Sequence, residues 1–317
     1  MFVQKPTHAA PRWKLAAALL LVYVVWGTTY FATSVVLHSM PPWWMNGLRF
    51  VLAGLVMVGL ALAQGQALPT LRQWRNAAVV GGLMVFLAMN LISMAQKMGI
   101  GSGLMATVVT TMPMWLALWT HWGGERVPRT GWLGVVLGVM GALLLSLEGD
   151  FSATWMGALL AFAAPLCWSV GSYASRRMDL PAPAMAAGAQ WLVGGVLAVL
   201  VALWREPVAL LGQVEPRAWL AWGYLLVFGT LIALNSYLWL LQNTSAAVAG
   251  SYSFVNPAVA LVVGVALGGE VLTGWVYLAL PLIAAALACI LYGPQVVRAW
   301  QARRIAHGAA EASAVAR

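Results

Sequence analysis

The stretch GGERVPRTGW (Gly123–Trp132) returns as GGEVLTGW (Gly268–Trp275), 145 residues further along a chain of 317. Other matches fall at nearly the same offset: AMN (Ala88–Asn90) with ALN (Ala233–Asn235), Pro113 with Pro257, and Trp26 with Trp168. MPPWW (Met40–Trp44) has LPAPA (Leu180–Ala184) as a weaker counterpart. The chain reads as one unit written twice.

Composition says what the unit is. Hydrophobic residues make up 62% and charged residues 8%, against roughly a quarter charged in a soluble domain. Leu15 to Leu37 carries no charged side chain, and a bilayer takes about 20 apolar residues to cross. This block follows Lys5, Arg12 and Lys14 but is longer than a signal-peptide core and closes on no small-residue cleavage pattern, so it reads as a retained first span. Cutting at polar, Pro and Gly breaks gives ten spans: 15–37, 43–63, 76–96, 101–122, 130–147, 154–175, 183–204, 217–240, 246–267 and 274–293. Short breaks make successive helices antiparallel neighbours. The expected fold is all-α and integral to the membrane, ten transmembrane helices as two five-helix repeats. Its parts are a tail at 1–14, repeats at 15–147 and 148–293, and a second tail at 294–317.

Five is odd, so the second repeat enters the membrane from the opposite side. Lys and Arg are retained in cytoplasmic loops. With a cytoplasmic N-terminus, 13 of the 17 Lys and Arg face that compartment, Lys97, Arg205 and Arg217 face the other, and Arg49 stays within the membrane. Both termini are then cytoplasmic, with Glu125 inside and Glu270 outside. Inverted repeats recur in secondary transporters, where the site lies near the midplane between the halves. Two similar halves of opposite orientation give inward- and outward-open states of similar energy, which a small load can interconvert.

YVVWGTTYFATSVVLHSMPPWWMNGLRFVLAG (Tyr23–Gly54) resembles the first two helices of the EamA-type drug/metabolite transporter superfamily. GSYSFVNPAVALVVGVALGGEVLTGW (Gly250–Trp275) resembles its ninth helix and following turn. The likeness spans about residues 15 to 293 and is nearest the YedA-like bacterial inner-membrane permeases. It implies a bacterial cytoplasmic-membrane location, ten helices in an inverted five-plus-five arrangement, and export of small metabolites, amino acids or drugs. Helices 1, 3, 4, 6, 8 and 9 are expected to surround the cavity, with 5 and 10 peripheral.

Arg49 is the one formal charge well inside a span, about 10 Å below the surface at 1.5 Å per residue. Charge at depth is costly and faces protein or water, so Arg49 either captures an anion or pins helix ends. Asn90 and Asn235 are repeat-related amides that need partners in hydrocarbon, either at a midplane site or as interhelical glue. Pro113 and Pro257 interrupt helices 4 and 9, each freeing a carbonyl for a hinge or ligand, with Thr110, Thr111, Ser253 and Asn256 nearby, and Thr107 is a further cavity candidate. Trp26, Tyr30, Trp168, Tyr173, Tyr237 and Tyr252 supply aromatic walls suited to amphipathic or cationic groups. GVVLGVMGA (Gly134–Ala142) spaces small residues for close helix packing, within the bundle or in a weak homodimer.

All eight acids lie in loops, helix ends or the tail, so no intramembrane carboxylate offers a proton site of the raised-pKa kind. His121 is the remaining relay candidate, and Glu125 and Glu270 are candidates for capping or gating. Cys167 and Cys289 fall inside spans, as small buried hydrophobes rather than a disulfide or metal pair. The +9 charge forms no basic cluster on a soluble module, so nucleic acid is not an expected partner, and no cofactor is implied. An integral-membrane enzyme would need a reactive cluster or GxSxG or HExxH motif, and a channel a carbonyl filter or charged ring. The partners expected are a small-molecule substrate and the lipid bilayer.

Overall fold

The computed structural model describes residues 11–146, 155–268, 275–293, 295–297 and 300. All regular structure among them is helical. In chain order the helices are α1 (Arg12–Leu37), α2 (Pro42–Ala63), α3 (Leu71–Lys97), α4 (Ser102–Val109 and Met112–Trp122) and α5 (Arg129–Ser146). They continue as α6 (Trp155–Ser175), α7 (Pro183–Arg205), α8 (Pro216–Asn243), α9 (Ala246–Gly250 and Tyr252–Gly268) and α10 (Trp275–Leu291). Helices α1, α2, α3, α6, α7 and α8 are long and apolar enough to cross a membrane.

The starts are set by local chemistry. Pro42, Pro183 and Pro216 open α2, α7 and α8, where a missing N–H costs nothing and a fixed φ favours the turn. Thr70 and Gln73 form a reciprocal capping box at the start of α3, satisfying two otherwise orphaned donors.

Packing pairs α2 with α7 and α5 with α10. Glycine brings α2 and α7 into backbone contact: a Cβ on Gly195 would lie 2.5 Å from the Val51 nitrogen, and one on Gly54 2.7 Å from the Leu192 nitrogen. Gly47 meets Val199 while Gly188 meets Val58, so residue numbers rise in one helix as they fall in the other and the pair is antiparallel. Gly134 against Ile290 and Gly141 against Ile283 make α5 and α10 antiparallel as well. By contrast α1 runs parallel to α9 (Tyr23 at Ser251, Gly27 at Val259) and α6 parallel to α4 (Ser169 at Trp119, Tyr173 at Gly123).

Neither α3 nor α8 is a regular α-helix throughout. Gly82–Ala88 and Leu225–Leu234 are π-helical, each ending just before an asparagine, Asn90 or Asn235. Wide turns leave carbonyls poorly matched to the backbone ladder, and side chains take them up. Asn90 Nδ2 donates to Phe86 O at 2.7 Å, Thr230 Oγ1 to Leu225 O at 3.1 Å and Trp26 Nε1 to Gly229 O at 3.0 Å.

The two prolines differ from expectation. Pro113 follows the break in α4 at Thr110–Thr111, sitting early in its second segment. Pro257 lies inside the continuous segment Tyr252–Gly268, and the interruption of α9 falls six residues earlier, at Ser251. There Ser251 Oγ donates to Val248 O and Ser253 Oγ to Gly250 O, so hydroxyls rather than the proline serve the broken turn. A Cβ on Gly250 would lie 3.4 Å from Pro113 Cγ, so the two interruptions sit side by side.

Candidate functional site

Four aromatic rings from four helices meet at the centre: Trp26 on α1, Trp168 on α6, Tyr237 on α8 and Tyr252 on α9. Trp26 lies 5.6 Å from Trp168, 5.1 Å from Tyr237 and 4.6 Å from Tyr252 between centroids. The edge-to-face geometries match the favourable quadrupole arrangement. Hydrogen bonds fix the layer, with Trp26 on the π-helical Gly229 carbonyl and Tyr237 paired with Ser172 at 2.8 Å.

Above this layer, where α1 and α3 end, is a chamber of about 70 Å³. Its walls include Trp26, Thr29, Tyr30 and Thr33, one face of α1. Arg49, Trp168, Thr230 and Tyr252 reach it from α2, α6, α8 and α9. Below the layer, a cleft of about 510 Å³ runs between α1, α7 and α8 and is lined by Gln190, Asn235, Ser236 and Gln242. Leu234 lines the chamber and Asn235 the cleft, so successive residues of α8 look into different spaces.

The structure thus brings Trp26, Tyr30, Arg49, Trp168 and Tyr252 together at the chamber, with Tyr237 buried behind it. Asn256 is fully buried beside Tyr30, neither amide atom in a hydrogen bond of good geometry. Helix α2, through Arg49 and Phe50, joins the expected lining helices, whereas no described residue of α5 or α10 lines the chamber.

Several candidates go elsewhere. Asn90 faces α2: Asn46 Nδ2 donates to Asn90 Oδ1 at 3.1 Å and to Ser93 Oγ at 2.9 Å, so this amide is interhelical glue. Thr111 sits at the α4 break with its hydroxyl on Val108 O. Tyr173 is at the end of α6, its ring under the Arg177 guanidinium at 4.0 Å, and Arg177 Nη2 holds Glu125 at 2.8 Å. Glu125 therefore ties the α4–α5 turn to α6. His121 is exposed on the last turn of α4, against Trp132 and outside the chamber. The Thr107 side chain and Glu270 lie outside the described residues.

Sequence reading missed Thr29, Thr33, Thr230 and Gln190. The threonines of α1 share the helical spacing of Trp26 and Tyr30, which was the available signal. Gln190 had another: GLRFVLAG (Gly47–Gly54) matches GAQWLVGG (Gly188–Gly195). Both helices need their paired glycines for the close crossing, and the match sets Arg49 opposite Gln190 in the repeat.

At the far ends of the bundle, where α2 begins and α7 stops, the Glu206 carboxylate accepts the Trp43 and Trp44 N–H groups at 3.2 and 3.0 Å. Burial pushes its carboxyl up, while the two N–H groups and Lys97 pull it down.

Six apolar helices long enough to cross a membrane, around a polar and aromatic chamber, are the build of a multi-pass membrane protein. A model of the EamA-like transporter family matches residues 13–147 and again 155–292. The chain belongs to that family, within the drug/metabolite transporter superfamily. It is 34% identical over 280 residues to the uncharacterized inner membrane transporter YedA of Escherichia coli K12, covering 88% of this chain and 91% of that one. It is 28% identical over 291 residues to a probable amino-acid metabolite efflux pump of Salmonella typhimurium, covering 88% and 95%. A solved crystal structure matches with a TM-score of 0.72 and 25% identity, over 88% of this chain and 96% of the other.

Proposed function

We propose that the protein is a secondary transporter that moves small metabolites across the bacterial cytoplasmic membrane by alternating access. It has ten spans in two inverted five-helix repeats, with both termini cytoplasmic. The observation carrying this reading is the pair of spaces on either side of one aromatic layer, at the seam between the halves. Equivalent helices α2 and α7, and α5 and α10, cross antiparallel, which supports a two-fold axis perpendicular to them, in the membrane plane. A transporter built this way opens by rocking one half against the other about its central site. An efflux-pump relative whose name specifies amino-acid metabolites supports export of compounds of that size. A layer of packed rings between the two spaces favours a carrier over a pore.

Single cysteines test the mechanism. In a Cys167→Ala/Cys289→Ala background, Thr33→Cys reports the chamber and Ser236→Cys the cleft. An impermeant maleimide should reach them from opposite faces of oriented vesicles. Labelling of both positions from the same face would sink alternating access between these two spaces.

A further inference from the structure

Arg49 is 3% exposed, lines the chamber, and forms no hydrogen bond or ion pair with any described residue. Its guanidinium rests against the Phe50 ring at 4.4 Å, a contact that leaves its donor fork unused. The described acids are committed elsewhere: Glu125 to Arg177, Asp179 to Arg72, Glu206 to the start of α2, and Glu215 at the head of α8. A charge buried without a counter-ion is strongly unfavourable, and within a membrane it marks a site whose partner must be named. The equivalent place in the second half holds neutral Gln190, on the wall of the other space. The cleft has Lys14 as well, but exposed at the start of α1, so of the two spaces only the chamber is lined by a buried cation among the described residues.

We infer that the missing counter-ion is the carboxylate of the transported substrate, held by Arg49. The guanidinium fork matches a carboxylate in bidentate geometry, and Thr29, Thr33 and Thr230 line the same space with hydroxyls. The chamber's volume of about 70 Å³ is several times the roughly 10–15 Å³ that one water needs. It takes a carboxylate and its α-carbon, and the aromatic faces of Trp26, Trp168 and Tyr252 receive the substituents. The substrate class is small monocarboxylates, α-amino or α-hydroxy acids included. This deepens the transporter reading and rests on it for the word substrate.

The test uses purified full-length protein and three acid–amide pairs: L-lactate with lactamide, L-alanine with L-alaninamide, and propionate with propionamide. Calorimetric titration should show at least one of the acids binding ten times or more tighter than its amide. The preferred pair separates amino from hydroxy acids. Arg49→Gln should abolish the acid preference and Arg49→Lys should restore part of it. Acids and amides binding alike in the wild type, no acid binding at all, or a preference that survives Arg49→Gln each overturn the inference. If Arg49→Gln does not fold, the wild-type acid–amide ratio and Arg49→Lys decide. Proteoliposome flux separates the two readings. Arg49-dependent acid binding without flux keeps the site and removes the transporter, and amide flux indifferent to Arg49→Gln does the reverse.

Discussion

The asparagines of α2 and α3 show what a polar residue does in this bundle when it is not for substrate. Asn46 and Asn90 are fully or almost fully buried: Asn46 Nδ2 donates to Asn90 Oδ1 and Ser93 Oγ, and Asn90 Nδ2 to the π-helical Phe86 carbonyl, while Asn46 Oδ1 has no partner among the described residues. Interhelical hydrogen bonds in membranes are worth about 0.6–1.7 kcal/mol each. Asn46→Ala should lower the melting temperature of detergent-purified protein while leaving the acid–amide preference intact. A change in that preference would move the pair into the site. Glu206 gives a pH prediction. Its folded pKa is raised, so the folded state holds the proton more tightly than the unfolded chain does. The associated stability is present at low pH and fades as pH rises through the window above the usual carboxylate value. Relative to Glu206→Gln, which cannot ionise, the wild type should lose melting temperature across that window. A difference flat from pH 4 to 7 would contradict it.

At the scale of the element, the α2–α7 crossing is where sequence is least negotiable. A Cβ at Gly195 would press into the Val51 and Phe50 backbone, and backbone has no rotamer by which to yield. Gly195→Ala should abolish a monodisperse size-exclusion peak. Gly59, on the same α2, meets nothing within 4 Å. Gly59→Ala should fold at least as well as the parent, since alanine exceeds glycine in helix propensity by up to about 1 kcal/mol. Equal outcomes for the two variants would show that the crossing is looser than its geometry. The π-helical segments of α3 and α8 belong to this scale too. Their wide turns offer carbonyls to Asn90, Thr230 and Trp26, and so couple a local irregularity to the central layer.

For the molecule as a whole, the two ends of the bundle are held by different devices. Where α4 and α6 end, Glu125, Arg177 and Tyr173 form a clasp at the surface. Where α1 ends, Lys97 Nζ donates to Leu37 O and Glu206 holds the start of α2. An exposed ion pair is worth up to about 1 kcal/mol. Arg177→Ala should therefore raise the labelling of Ser236→Cys relative to Thr33→Cys by no more than about fivefold, at 1.4 kcal/mol per tenfold. A larger shift, or one toward Thr33→Cys, would show that the clasp is not a simple surface latch.

Much was legible before any coordinates. For the six helices long and apolar enough to cross a membrane, the limits read from polar and Pro/Gly breaks fall within about five residues of the helix ends, because hydrocarbon tolerates no unsatisfied backbone. Trp26, Tyr30, Trp168 and Tyr252 were legible as a wall because their residue types and helix positions already limited their roles. The status of individual polar groups was not. Asn90 and Asn235 are the same letter at the same place in the repeat, yet one is satisfied by Asn46 and the other opens onto the cleft. Pro257 matches Pro113 in sequence but not in the break beside it. Sequence alone determined that this chain is a twice-written membrane bundle, since hydropathy and repetition are properties of the string. Only the tertiary structure decided that Arg49 stands in a chamber with no ion-pair partner among the described residues while its counterpart is a neutral amide, since whether a charge is paired depends on distances between helices far apart in the chain.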